Sequence, residues 1–245
     1  MSIPDLPTPP EITGRTKAGL EYKIAGTVQQ TLLIDLPAGR TVYSDAGAMS
    51  WMTSTVVMNT QGQGGLGGML KRAVSGATVF IVDFTAERAP GHIAFSTDFP
   101  GKVLAFELDG ERGIVMHKHA FICAEKTVAL DIFFTRKLGA GVFGGEGFVL
   151  QKLSGNGAVF AELDGDALEY HLKPGETMRI EPGHVAMFDE TVKFDVEMIR
   201  GFTNILMGGE GLFLATLTGP GRVWLHSLTP SKIAHRLAQY LPSGR

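Results

Sequence analysis

One cysteine in 245 residues, Cys123, means that no disulfide can form within the chain. The fold must rest on packing and hydrogen bonds, as suits a reducing compartment. Cys123 lies in the apolar run Ala120-Phe-Ile-Cys-Ala124 and reads as a buried, inert thiol. Charge is also scarce: 19% of residues carry it, the formal net charge is -3, and no run of lysines and arginines occurs. Nothing therefore supplies the positive field that holds a nucleic-acid backbone, and nucleic acid is excluded as a partner. No apolar stretch approaches the roughly 18 residues that a membrane-spanning helix needs. Met1 to Pro10 is rich in proline and lacks the basic and apolar regions of a secretory signal, so residues 1–19 read as a flexible tail and the chain as cytoplasmic.

Helical periodicity is missing almost throughout. Short apolar runs bounded by Gly, Pro, Asp or Asn take its place, and these read as strands. Leu20 to Ile24, Gln30 to Leu36, Val79 to Phe84 and Val103 to Leu108 are of this kind, the last ending in Asp109-Gly110, a hairpin signal. Val192 to Met198 alternates apolar and polar residues with period two, as a half-buried strand does. Two stretches differ. Leu66 to Val74 allows a short helix. Thr229 is placed to cap a second, with Pro230 at its first position and Ile233, Leu237 and Leu241 on one face before Pro242.

What the chain has in abundance is self-similarity. Residues 119–163 align without a gap on residues 183–227, 64 positions on, with thirteen identities. These include Thr127 and Thr191, Val128 and Val192, Asp131 and Asp195, Arg136 and Arg200, the Gly-Gly-Glu-Gly run at Gly144 and Gly208, and Gly155, Gly157 and Val159 with their partners. A third copy lies upstream, where Gly47 to Val56 overlays His119 to Val128 at a shift of 72. Each copy must be one supersecondary unit built by the same rules. The expected fold is all-β: three tandem β-sandwich or jelly-roll-like repeats (20–95, 96–163 and 164–228) in one compact, pseudo-threefold body, followed by a short C-terminal helix and tail (229–245).

The chemistry-bearing residues are few. Each glycine cluster leads into a strand and no Gly-Lys-Ser/Thr follows, so these are turns rather than phosphate cradles. Apolar residues flank them: Leu66, Met69 and Leu70 in the first unit, Val142 and Phe143 in the second, Ile205, Leu206 and Met207 in the third. A pseudo-threefold would gather these tips into one interaction surface. His117-Lys-His119, Glu125 and Lys173 to His184 resemble the two motifs of a cupin metal site. The spacing departs from it, since Gly110 to His117 is one residue too long and Glu125 lies too far on. Separate surface or half-buried histidines are the reading preferred here, with no metal or cofactor expected. No Ser, Cys or Thr has an evident base beside it, so no catalytic residue is assigned. Asp131 and Asp195, each five residues before an arginine, read as structural.

The recurrent Gly-Gly-Glu-Gly…Ser/Thr-Gly-x-Gly-x-Val-Phe/Trp pattern resembles the altered-inheritance-of-mitochondria family, across Leu20 to Leu228. That resemblance implies a β-sandwich fold like that of the tryptophan RNA-binding attenuator protein, repeated within the chain. It implies an association with inner-membrane organisation in mitochondrial members, unknown function in most bacterial ones, and no catalytic residues to carry over. His119 departs from the glycine usual at its position. The functional expectation is a non-enzymatic oligomeric scaffold that pairs with itself and binds a protein partner or membrane surface through its glycine-rich apolar loops. The alternative is a cupin-like, metal-dependent protein acting on a small molecule, built on His117, His119 and His184.

Overall fold

The computed structural model describes residues 10–59, 81–136, 147–199 and 212–240. It is built almost wholly of antiparallel strands. The first set is β1 (Glu11–Arg15), β2 (Glu21–Ala25), β3 (Thr31–Leu36), β4 (Thr41–Asp45), β5 (Trp51–Met52), β6 (Val56–Asn59), β7 (Ile81–Ala86) and β8 (Gly91–Ser96). A second follows with β9 (Gly101–Asp109), β10 (Ile114–His117), β11 (Phe121–Glu125), β12 (Val128–Arg136) and β13 (Phe148–Asp164). The third comprises β14 (Ala167–Leu172), β15 (Thr177–Ile180), β16 (Val185–Asp189), β17 (Lys193–Ile199), β18 (Leu212–Thr218) and β19 (Gly221–His226), and helix α1 (Pro230–Ala238) closes the described chain. The expected all-β class with one short C-terminal helix is what the structure shows. The helix allowed by Leu66 to Val74 lies outside the described residues.

Two three-strand patterns recur. One is β3-β8-β5, repeated as β9-β13-β11 and β14-β19-β16; the other is β6-β7-β4, repeated as β12-β13-β10 and β17-β18-β15. Ladders from β4 to β11 and from β10 to β16 join successive patterns edge to edge.

Glycine placement shows why the same local sequence gives the same local structure. A Cβ on Gly91 would lie 2.5 Å from Thr55 Oγ1 and 2.6 Å from Val56 Cγ2. One on Gly157 would meet Thr127 Oγ1 at 2.5 Å and Val128 Cγ2 at 3.3 Å, and one on Gly221 would meet Val192 Cγ2 at 2.7 Å and Thr191 Oγ1 at 2.8 Å. Three glycines thus back onto three Thr-Val pairs, because only a residue without a side chain lets the strand pass that close.

The 17-residue β13 is the spine of the molecule. Its first half pairs with β10 and β12, and its second half, beyond Gly155, pairs with β9 and β11. In the third set Pro220 stands between Gly219 and Gly221 where Asn156 stands between Gly155 and Gly157. Proline has no N–H to give to a ladder, so here the corresponding strand divides into β18 and β19. The hairpin signalled by Asp109-Gly110 is not formed. Gly110 turns with φ 86°, but β9 and β10 both pair with β13, on different halves of it. The turn moves the chain from one half of the spine to the other.

Burial follows the pattern of each strand. In β3 Leu32, Ile34 and Leu36 are buried and the intervening residues are not, whereas every residue of β11 is buried. Three clusters fill the interior: one around Phe84, Phe95 and Phe160, one around Phe121, Leu153 and Trp224, and one around Phe148, Phe188 and Leu217. The buried carboxylate of Glu125 joins separate parts of the chain. Its Oε1 accepts from Thr16 Oγ1 at 3.3 Å and from Arg40 at 3.2 Å, and its Oε2 accepts from the Ala158 N–H at 2.9 Å. Helix α1 begins as its sequence requires, with Thr229 Oγ1 accepting from the Lys232 N–H at 3.3 Å, and it buries none of its residues.

Candidate functional site

The histidines are gathered, not separate. β10 ends at His117, and a 3-10 turn over Lys118–Ala120 brings the ring of His119 to within 5.3 Å of that of His117. His117 is buried, with Phe148 5.1 Å away on the spine. The β10–β16 ladder, in which Met116 faces Met187, draws the 3-10 turn Pro182–His184 to the same region. There His184 Nδ1 donates to the carbonyl of His226 at 2.7 Å, while its Nε2 lies 2.7 Å from Lys232 Nζ, which donates to it. His226 Nδ1 accepts from the Asp164 N–H at 2.9 Å, which leaves the ring proton on Nε2.

Burial lowers the pKa of His117, His119 and His226. It pushes His117 well below the ordinary histidine value, helped by the charge of His119. It pushes His226 down to about 4, with His184 and His119 adding to the effect. The expectation of separate histidines fails because the β10–β16 ladder lays distant segments side by side, which spacing along the chain does not show. His226 escaped notice, standing alone in sequence at the end of β19.

Beside this cluster a cleft of about 230 Å³ opens between the ends of β4, β8 and β13. Asp45, Asp98, Lys118, His119 and Glu162 line its sides, over Phe95 and Ile122. Glu162 Oε2 accepts from the Asp98 N–H at 3.2 Å. Burial, followed by the negative charges of Asp98 and Asp164, raises Glu162 to about 8, so its carboxyl carries a proton at neutral pH. Burial and Asp98 raise Asp164 to about 6. The cleft thus offers a neutral acid that can donate a hydrogen bond, next to a neutral imidazole and an ammonium group.

The rest of the cupin resemblance is taken up by structure. Glu125 serves as the clasp described above, Glu176 Oε2 accepts from the Lys173 N–H at 2.9 Å, and Glu181 pairs with Lys232 at 2.8 Å. Among the described residues no three His, Cys, Asp or Glu side chains are grouped so that they could hold a metal ion. Cys123 is buried, and burial raises its thiol well above the ordinary value, with Glu125 adding to the effect.

The anticipated interaction residues Leu66, Met69, Leu70, Val142, Phe143, Leu206 and Met207 all lie outside the described residues, as does Ile205. Exposed apolar side chains occur elsewhere. Trp51 on β5 is 54% exposed, Leu168 and Tyr170 stand on the edge strand β14, and Leu237 and Tyr240 are exposed on and just after α1. Among the described residues no helix is long and apolar enough to cross a membrane.

Antiparallel half-sheets joined edge to edge, with a titratable cleft at a junction, define a class of all-β proteins whose plan is recurrence of one strand pattern. The chain belongs to the Mitochondrial biogenesis AIM24 family, whose sequence model matches residues 22–228. It is 30% identical over 234 residues to an uncharacterised protein of Streptococcus pyogenes serotype M6, covering 92% of each chain. The X-ray structure of a Streptococcus pyogenes protein superposes with a TM-score of 0.73 at 27% identity, over 91% of this chain and 100% of that one.

Proposed function

We propose that this protein is a non-enzymatic, self-associating β scaffold that holds a protein partner, built of three units near 20–95, 96–163 and 164–228. The observation that carries the reading is the apolar surface left on its edges: Leu168 and Tyr170 on an outermost strand, and Leu237 on a helix none of whose residues is buried. Apolar side chains displayed together on an outer strand and a free helix face are characteristic of interaction surfaces. The glycine-rich loops with Phe143 and Met207 are proposed as further contact points.

The test is partner capture from the native cell extract, compared between the wild type and the variants Leu237→Glu, Tyr170→Asp, Phe143→Asp and Met207→Asp. Specific capture by the wild type that is lost in these variants, at unchanged melting temperature, supports the reading. Equal capture by all of them defeats it. Binding that is instead reproduced by phosphatidylglycerol vesicles alone replaces the protein partner with a membrane surface.

A second reading rests on the cleft, whose mixed carboxyl, imidazole and ammonium lining suits a small polar molecule. Its metal-dependent form is checked by titration calorimetry with zinc. Stoichiometric uptake that is lost in His119→Ala would revive the cupin-like alternative, and no uptake removes it.

A further inference from the structure

The molecule ends in two half-sheets. At one end β3-β8-β5 stops at β5; at the other, β17-β18-β15 stops at β15. Everywhere between, half-sheets of these two kinds are joined, by β4 to β11 and by β10 to β16. The two joints share one register. In the first, Ser44 faces Cys123, Tyr43 faces Ala124 and Val42 faces Glu125. In the second, Met116 faces Met187, Val115 faces Phe188 and Ile114 faces Asp189. Advancing the first member of each pair by the shift of 72 and the second by the shift of 64 turns the first joint into the second.

The same operation, carried past the last unit and back to the first, pairs Ile180 with Trp51, Arg179 with Met52 and Met178 with Thr53. Among the described residues β15 pairs only with β18 and β5 only with β8, so this third joint is not made within the chain. Its strands are fit to make it. Neither Thr177–Ile180 nor Trp51–Thr53 contains proline, no like charges fall opposite each other, and the exposed indole of Trp51 would meet Ile180.

We propose that β15 of one chain pairs antiparallel with β5 of a second copy in that register, completing an eight-stranded sheet of order β17-β18-β15-β5-β8-β3-β2-β1. This rests on the self-association reading above and names its surface. Because each copy presents a β5 edge at one end and a β15 edge at the other, the contact is head to tail, and copies close into a ring or extend into a row.

The experiment uses full-length Met52→Cys and Arg179→Cys, purified separately, then mixed and mildly oxidised. Directly opposed residues of an antiparallel pair have Cα atoms about 4.5–5.5 Å apart, within the span that a disulfide bridges. A cross-linked dimer in the mixture and in neither protein alone is the expected result. Trp51→Lys should keep the wild-type melting curve and sediment as a smaller species. A mixture that does not cross-link overturns the proposal. So does a chain carrying both cysteines that closes on itself as a monomer. An assembly that survives Trp51→Lys without cross-linking also overturns it, while leaving self-association through another surface intact. A wild type that is monomeric at every concentration ends both.

Discussion

At the scale of single residues, three glycines and two carboxylates carry the clearest consequences. Gly91, Gly157 and Gly221 each leave no room for a Cβ against a threonine hydroxyl. Gly157→Ala is expected to cost about 1–3 kcal/mol as an overpacked contact. Adding Thr127→Ala should return part of that loss, because it removes the atom 2.5 Å from the new methyl. Urea unfolding of the two single variants and the double measures the coupling. Glu125→Ala strands a buried threonine hydroxyl and the Ala158 N–H, while Arg40 can turn to solvent; a loss of about 2–3 kcal/mol is expected from the same measurement.

The titrating residues bend the pH profile from both sides. Glu162 has a folded value of about 8, above its ordinary 4.5, so its contribution is complete below pH 4.5 and is lost as pH rises to about 8. Asp164 loses its own between 3.8 and about 6. His226, at about 4 against 6.5, acts oppositely: its contribution is complete above pH 6.5 and is lost as pH falls to about 4. Each such group changes stability by at most about 1.4 kcal/mol per pH unit across its window. Glu162→Gln, which cannot ionise, should melt higher than the wild type at pH 8.5 and about level with it at pH 5. Thermal melts at the two pH values decide this, and an equal shift at both would refute it.

At the scale of elements, α1 is held by its Thr229 cap and by Lys232 against Glu181 and His184, and no side chain on it is buried. A chain ending at Thr229 should therefore melt within about 3 °C of the full one. Ile233 and Leu237 share the face that the helical period marked as apolar, but neither is buried, and Leu237 is 56% exposed. An apolar stripe shows which side of a helix avoids water, not what it meets. The same limit applies to Asp109-Gly110. A glycine with positive φ makes a turn, yet whether its flanking strands pair with each other depends on a competitor, and β13 supplied one for each.

At the scale of the whole molecule, stability and assembly follow from one ladder used repeatedly. The two internal joints bury their edges completely enough that Tyr43, Cys123, Ala124, Val115 and Phe188 are closed to solvent. The two outer edges have no such cover among the described residues, and Trp51 on one of them is more than half exposed. Sedimentation of the wild type beside Trp51→Lys reads this difference directly.

Much of this was legible in the sequence. Period-two alternation in Val192 to Met198 placed a half-buried strand where β17 lies, scarcity of 3.6-residue periodicity implied a β body, and the shifts of 64 and 72 brought Thr55-Val56, Thr127-Val128 and Thr191-Val192 into correspondence. These are local properties: side-chain alternation, glycine and proline at turns, and repetition of both. The gathering of His117, His119, His184 and His226, the acid held neutral at Glu162 and the division of β13 between two sets of partners were decided only by the tertiary structure. Each depends on which distant strand lies alongside and on how much water it excludes, and antiparallel pairing across some 70 residues leaves no period in the chain by which to read it.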